Sequence, residues 1–150
     1  MQKITPNLWY DGNAKEAVDF YASVFPDTKI ISTSYYPTEG LEEFQQNLAG
    51  KELTIEFELL GQRFTAINAG PEFKFNESVS FLISCKDQEE IDYFWNALIA
   101  DGGNDSQCGW LKDKYGLSWQ VIPEDMEEII KKSGSFANLM KMRKIIIADL

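Results

Sequence analysis

Asn13-Ala14-Lys15-Glu16-Ala17-Val18-Asp19-Phe20-Tyr21-Ala22-Ser23-Val24-Phe25 is the stretch on which the fold turns. Ala14, Ala17, Val18, Tyr21 and Phe25 recur at helical spacing. Asn13 suits the N-cap, and Glu16 three residues later completes a capping-box pattern. The arrangement returns downstream. Val79-Ser80-Phe81-Leu82-Ile83-Ser84-Cys85 reads as a strand, Asp87 as the next N-cap with Glu90 three residues on, and Ile91, Phe94, Trp95 and Leu98 as the apolar stripe of a second helix. At a constant offset of 74 positions, Glu16 falls on Glu90, Ala17 on Ile91, Phe20 on Phe94, Tyr21 on Trp95 and Val24 on Leu98. Any two capped amphipathic helices share such spacing. Here each is also preceded by a strand and followed by several strand-like stretches, which points to an internal duplication.

Outward from the first helix lie Thr28–Tyr36, Leu53–Leu60 and Arg63–Asn68, the last two joined at Gly61-Gln62 by a hairpin signal. After the second helix, Gly102-Gly103 stops the chain, and Gln107–Asp113 and Leu117–Ile122 are strand-like around Gly116. Each half therefore reads strand, helix, strand meander. Residues 1–70 form the first module, 70–76 a linker opened by Gly70-Pro71, and 77–123 the second module. A tail, 124–150, follows Pro123, with a short helix expected over Glu124–Lys132 and a further segment, Phe136–Leu150, after Gly134.

Composition narrows the function classes. The 150 residues are 44% hydrophobic and 25% charged, an ordinary globular mixture in a length suited to one domain. A net charge of −10 repels phosphate backbones and anionic membranes, so neither nucleic acid nor membrane is an expected partner. No apolar run approaches the roughly 20 residues of a membrane span, and the N-terminal residues lack a signal-peptide core. With only Cys85 and Cys108, too few for a disulfide framework, a cytoplasmic location is expected. The chain contains no histidine. That removes the commonest transition-metal ligand, the commonest general base, and any Ser-His-Asp or Cys-His nucleophilic site.

Two βαβββ modules of this size resemble the vicinal-oxygen-chelate superfamily of glyoxalase I, extradiol dioxygenases and the fosfomycin- and bleomycin-resistance proteins. Several stretches are similar to its PhnB-like branch, many of whose members carry the label 3-demethylubiquinone-9 3-methyltransferase. They are Trp9-Tyr10-Asp11-Gly12-Asn13-Ala14 leading to Phe20-Tyr21, Glu56-Phe57-Glu58-Leu59, Gly70-Pro71 with Phe73-Lys74-Phe75-Asn76, Lys141-Met142-Arg143-Lys144-Ile145 and, most specific, Gln107–Gln120. The resemblance implies an α+β fold in which two βαβββ modules form a cupped mixed sheet, and it implies a homodimer. Enzymes of the superfamily hold a divalent metal with four His, Glu or Gln side chains, one each from the first and last strand of each module. Carried onto this chain, Asp113-x-x-Gly116-x-x-x-Gln120 places one position on Gln120, the second module's first strand gives Ser80, and the first module gives Asn68 with one of Thr5, Pro6 or Asn7. Hydroxyl and amide donors are weak neutral ligands, so no metal and no other cofactor is expected.

The remaining candidates each carry two readings. Glu56 and Glu58, two apart on a strand, share one face. They suit an acid/base pair or a hard-cation site, and alternation with Ile55, Phe57 and Leu59 equally yields a solvated strand face. Trp110 and Trp119 suit a pocket wall or a core. Strand alternation turns Trp119 away from Gln120 unless a bulge intervenes. Cys108 and Cys85 read as small, inert thiols. Phe73 and Phe75 suit a loop that closes over a pocket or packs on a second subunit, and Met140–Lys144 is a local basic patch. The leading expectation is a metal-free small-molecule-binding protein with Asn68, Ser80, Trp110, Gln120, Phe73 and Phe75 at its pocket. The alternatives are a metal-dependent lyase, isomerase or dioxygenase recruiting Glu56 or Glu58, and a methyltransferase, which retained S-adenosylmethionine would reveal. No glycine-rich nucleotide loop supports the last.

Overall fold

The computed structural model describes residues 2–150, which divide between two compact units, one ending at Lys74 and the other running Phe75–Leu150. In the first unit, β1 (Asn7–Asp11) leads into α1 (Ala14–Val24), followed by β2 (Lys29–Tyr35), a 3-10 segment over Glu43–Leu48, β3 (Glu52–Leu59) and β4 (Gln62–Ala69). The sheet order is β1-β4-β3-β2, with β1 parallel to β4 and the other pairs antiparallel. In the second unit, β5 (Ser80–Cys85), α2 (Gln88–Ile99), β6 (Asn104–Asp105), β7 (Trp110–Lys112) and β8 (Ser118–Pro123) form a sheet of order β5-β8-β7-β6, again with one parallel pair, β5 with β8. Two short helices, α3 (Met126–Ile129) and α4 (Ser135–Leu139), belong to the tail. Both units are thus open, four-stranded mixed sheets with the same βαβββ order.

Each helix covers one sheet face, and the sequence pattern decides which. Ala14, Ala17, Val18, Tyr21 and Val24 of α1 are buried. They meet Leu8 and Tyr10, Ile55, Phe57 and Leu59, and Phe64 and Ala66, the residues that alternate inward on β1, β3 and β4. Tyr21 stacks on Phe57 and Phe57 on Phe64, at 6.3 and 5.6 Å between centroids. Burying each such ring or branched aliphatic contributes about 1.5–3 kcal/mol, whereas the exposed Lys15–Asp19 pair on the outer face of α1 is worth roughly 0.3–0.5 kcal/mol. Apolar docking therefore sets the helix's rotation. In the second unit Ile91, Phe94, Trp95 and Leu98 of α2 cover Ile83 and Cys85, Leu111, and Trp119 and Val121.

The duplication needs a one-residue adjustment. The helices align at the offset of 74, but buried Leu8 and Tyr10 correspond to buried Ile83 and Cys85, an offset of 75. From Tyr10 to the start of α1 at Ala14 the chain takes one residue more than from its counterpart Cys85 to the start of α2 at Gln88, and Gly12, at φ 73°, lies in that stretch. Four local expectations are also corrected. The Asn13 side chain makes no capping bond. Instead Asn68 Oδ1, reaching from β4, accepts the Ala14 N–H at 3.1 Å. Asp87 does cap α2, accepting the Glu90 N–H at 2.9 Å. The hairpin turns at Leu60-Gly61, both at positive φ (48° and 84°), so Leu59 pairs with Gln62. The expected strand from Gln107 begins only at Trp110, since Cys108 and Gly109 adopt positive φ in a turn closed by Trp110 N–H to Gln107 C=O. The helix expected over Glu124–Lys132 shrinks to Met126–Ile129, whose residues are not buried and so gain no docking energy.

Candidate functional site

In each unit the face away from the helix is open and carries the polar residues. On the second unit this face presents Ser80, Leu82 and Ser84 from β5, Ser118, Gln120 and Ile122 from β8, and Trp110 and Lys112 from β7. Register puts Trp110 opposite Gln120, and Ser118 between Ser80 and Lys112. Gln120 Nε2 donates to Ser80 Oγ at 2.9 Å. Three residues singled out from sequence, Ser80, Trp110 and Gln120, therefore meet on one surface.

The Trp119 question is settled by alternation without a bulge. Trp119 is buried on the α2 side, in ring contact with Phe81 at 5.8 Å. Its indole donates to Asp113 Oδ2 at 2.9 Å. Asp113, itself buried, also accepts the backbone N–H groups of Tyr115 and Leu117 at Oδ1. The carboxylate thus shapes the turn carrying Gly116, at φ 86°, and holds Trp119 inward, which aims its neighbour Gln120 outward. Within the Asp113–Gln120 motif the aspartate builds the turn and the glutamine faces the open side.

Beside this surface lies a cavity of about 770 Å³, walled by Trp110, Ser118, Lys112, Glu77, Cys108 and Met140 among others. Its wall does not include Ser80 or Gln120, which adjoin it through Ser118 and Trp110. Ser118 is 1% exposed, and its hydroxyl has no hydrogen-bond partner among the described residues. Lys112 pairs with Glu77, whose carboxyl the lysine's hydrogen bond holds below the usual range. Arg143 pairs with Asp105 at 2.9 Å and lowers that carboxyl too. Cys108 is half-buried, whereas Cys85 is buried and its thiol is pushed up to about 12, chiefly by burial and secondarily by Glu90 and Asp87.

In the first unit Asn68 does not face the open side. It is 2% exposed on the helix-side face, and its amide is consumed by the Ala14 N–H and the Glu52 carbonyl. The reason for the misplacement is register. Leu82 pairs with Gln120, and Asn7, its counterpart at the offset of 75, pairs with Thr65. Thr65 therefore answers to Gln120, and Thr5 to Ser80. Asn68 and Thr65 lie an odd number of residues apart on β4, so alternation sends Asn68 to the helix side and Thr65 to the open side. Glu56 and Glu58 do share the open face, opposite Thr65 and Arg63. Glu56 accepts from Ser32 Oγ at 2.9 Å and lies 3.7 Å from Arg63, while Glu58 lies 3.7 Å from Lys29. A second cavity, about 670 Å³ between Trp9, Tyr36, Phe44, Leu48, Ile67 and the 70–72 segment, was also not foreseen. Phe73 packs edge-on against Trp9 at 4.7 Å, and Phe75, half-buried, begins the second unit.

The donor set does not fit a divalent ion. Ser80 and Gln120 are neutral and bonded to each other, and Thr5 and Thr65 add only hydroxyls. Divalent sites in proteins need carboxylate, imidazole or thiolate charge. Among the described residues no cluster of three His, Cys, Asp or Glu side chains stands in for them.

Comparison with known proteins places this geometry. The family profile described as 3-demethylubiquinone-9 3-methyltransferase matches residues 2–122. Among solved structures, the PhnB protein from Bacillus cereus, described with the same methyltransferase label, is 34% identical, with 81% of this chain and 99% of that one covered at a TM-score of 0.69. Protein PA1353 from Pseudomonas aeruginosa is 18% identical over 82% of this chain and 98% of that one, at 0.61. The fosfomycin resistance protein FosX from Listeria monocytogenes, solved with Mn(II) and sulfate, is 14% identical over 87% and 98%, at 0.54, and shares the fold. No curated protein matches the chain. No helix among the described residues is long and apolar enough to cross a membrane. With most of its length matched by the profile and a one-third-identical PhnB structure beside it, the chain belongs to the PhnB-like 3-demethylubiquinone-9 3-methyltransferase family.

Proposed function

We propose that the protein binds a small organic molecule on the open face of its second unit, at Ser80, Trp110 and Gln120, without a divalent metal. The observation that carries this reading is the Gln120–Ser80 hydrogen bond. At positions where the resemblance implies metal ligands, two neutral side chains satisfy each other and leave the Ser80 hydroxyl proton and the Gln120 carbonyl for a ligand. Trp110, opposite Gln120 in register, supplies a flat apolar contact. A lyase or dioxygenase using Glu56 or Glu58 has less support, because a cationic neighbour or hydroxyl occupies each carboxylate. Methyl transfer rests on the family label alone. On the resemblance we further take the protein to act as a homodimer, and on its cysteine usage as a cytoplasmic one.

Native mass spectrometry of the protein as purified, without added metal or chelator, tests this. A dimer that is metal-free, and whose retained organic mass is lost in Gln120→Ala and Ser80→Ala, supports it. A stoichiometric divalent ion abolished by those substitutions would overturn it.

A further inference from the structure

We infer that the tail turns the cavity beside this face into a subsite for a flat, uncharged molecule bearing one hydrogen-bonding oxygen, with Ser118 and Met140 as its specificity residues. This rests on the open-face reading above and goes beyond it in ligand class and in residues. The first observation is Ser118. A hydroxyl 1% exposed with no partner among the described residues leaves a hydrogen bond unmade, which is costly unless something bonds it. Strand alternation aims it to the open side, and it lines the cavity.

The second observation is charge. The ionic groups of the wall are already paired, Glu77 with Lys112 and Asp105 with Arg143, leaving no net charge for an ionic ligand to meet. The uncharged part of the wall includes the indole of Trp110 and the thioether of Met140, with Leu111, Asn104 and Gln107. An indole favours a flat ring, and a thioether makes soft contacts to aromatic edges. A volume of about 770 Å³ lies within the range of small-ligand pockets, roughly 300–1,000 Å³.

The third observation is where Met140 comes from. It lies in the tail, beyond residue 122 where the profile match ends, beside the Lys141–Ile145 stretch. The segment carrying it is held in place by Cys108 and Gly109 N–H groups donating to the Met142 and Arg143 carbonyls, and by Arg143 on Asp105. The profile-matched part of the chain supplies Trp110 and Ser118, and the tail adds Met140 to the wall.

The test is an NMR titration of the isotopically labelled full chain with coumarin and, separately, with naphthalene. Both are flat and uncharged, and only coumarin carries a carbonyl. We expect both to shift the Trp110 indole and Met140 methyl signals, with coumarin the tighter. Ser118→Ala should weaken coumarin about tenfold, the loss of one buried hydrogen bond, and leave naphthalene unchanged. Met140→Asp should abolish both, and Met140→Leu should retain them. Failure of either compound to shift Trp110 and Met140 overturns the subsite, as does equal weakening of both by Ser118→Ala. If retained ligand is lost in Gln120→Ala but not in Ser118→Ala or Met140→Asp, the open-face reading stands and this inference falls. If all three variants keep it, the open-face reading itself falls.

Discussion

Asn68 shows how a residue that resembles a ligand in sequence can be part of the frame. Its amide joins the first turn of α1 to the start of β3, so truncation leaves a buried N–H and a carbonyl unpaired. Asn68→Ala should lower stability by about 2–3 kcal/mol, read as a shift of denaturant midpoint, while leaving binding at the second unit intact. Gln120 was legible because a motif with fixed spacing carried it. Asn68 was not, because its face depends on the register of β4, and no motif of fixed spacing in the first module marks which alternate set turns to the helix. The two cysteines separate at the same scale. A thiol reagent should label Cys108 in the native protein and Cys85 only on unfolding. Because the Cys85 thiol is held up near 12, above its ordinary value of 9.0, the folded state keeps a proton the unfolded chain gives up. Its stabilising contribution is complete below pH 9 and declines as pH rises from there toward 12. Stability should therefore fall less steeply above pH 9 in Cys85→Ala than in the parent, measured by denaturant unfolding at several pH values.

Among the elements, the tail depends most on contacts that no local pattern reveals. Gln88 of α2 donates to the Ile145 carbonyl at 2.9 Å and accepts the Ile147 N–H at 2.8 Å, two bonds across more than fifty residues. Ile145 itself is fully buried. Gly109 makes room for it. A Cβ there would sit 2.8 Å from Ile145 Cδ1 and 2.9 Å from the Val121 carbonyl, at a φ of 85° that disfavours side chains. The expected β-strand through Gln107–Gly109 failed for this reason, since the backbone folds back to receive the tail. Helix α1 and helix α2, by contrast, were legible from apolar periodicity alone. Gly109→Ala should cost more than about 1 kcal/mol and expose the tail to proteases, whereas Gly116→Ala, with open space around it, should carry only the backbone penalty.

Across the whole molecule, the repeat was legible because both halves bury the same kind of stripe on the same kind of sheet. Charge is distributed less evenly than the fold. Asp92, bonded by Gln88 and Lys144, and Asp105, bonded by Arg143, both have carboxyls held below the ordinary value, and both partners Lys144 and Arg143 lie in the tail. A depressed carboxyl contributes stability in full above its unfolded value, near 3.8 for aspartate, and loses it as pH falls to the folded value. These pairs are exposed and screened by salt, so each contributes little, whereas burial of Ile145 contributes about 1.5–3 kcal/mol and does not titrate. Acid should therefore loosen the tail without releasing it. Hydrogen exchange at pH 3, compared with pH 6 after correction for intrinsic rates, should show a several-fold loss of protection at the Cys108, Gly109 and Ile147 amides, with α1 unchanged. An Arg143→Gln, Lys144→Gln double variant should show the loosened pattern already at pH 6. Uniform loss of protection across both units would show instead that the tail and the sheets respond to acid as one cooperative body.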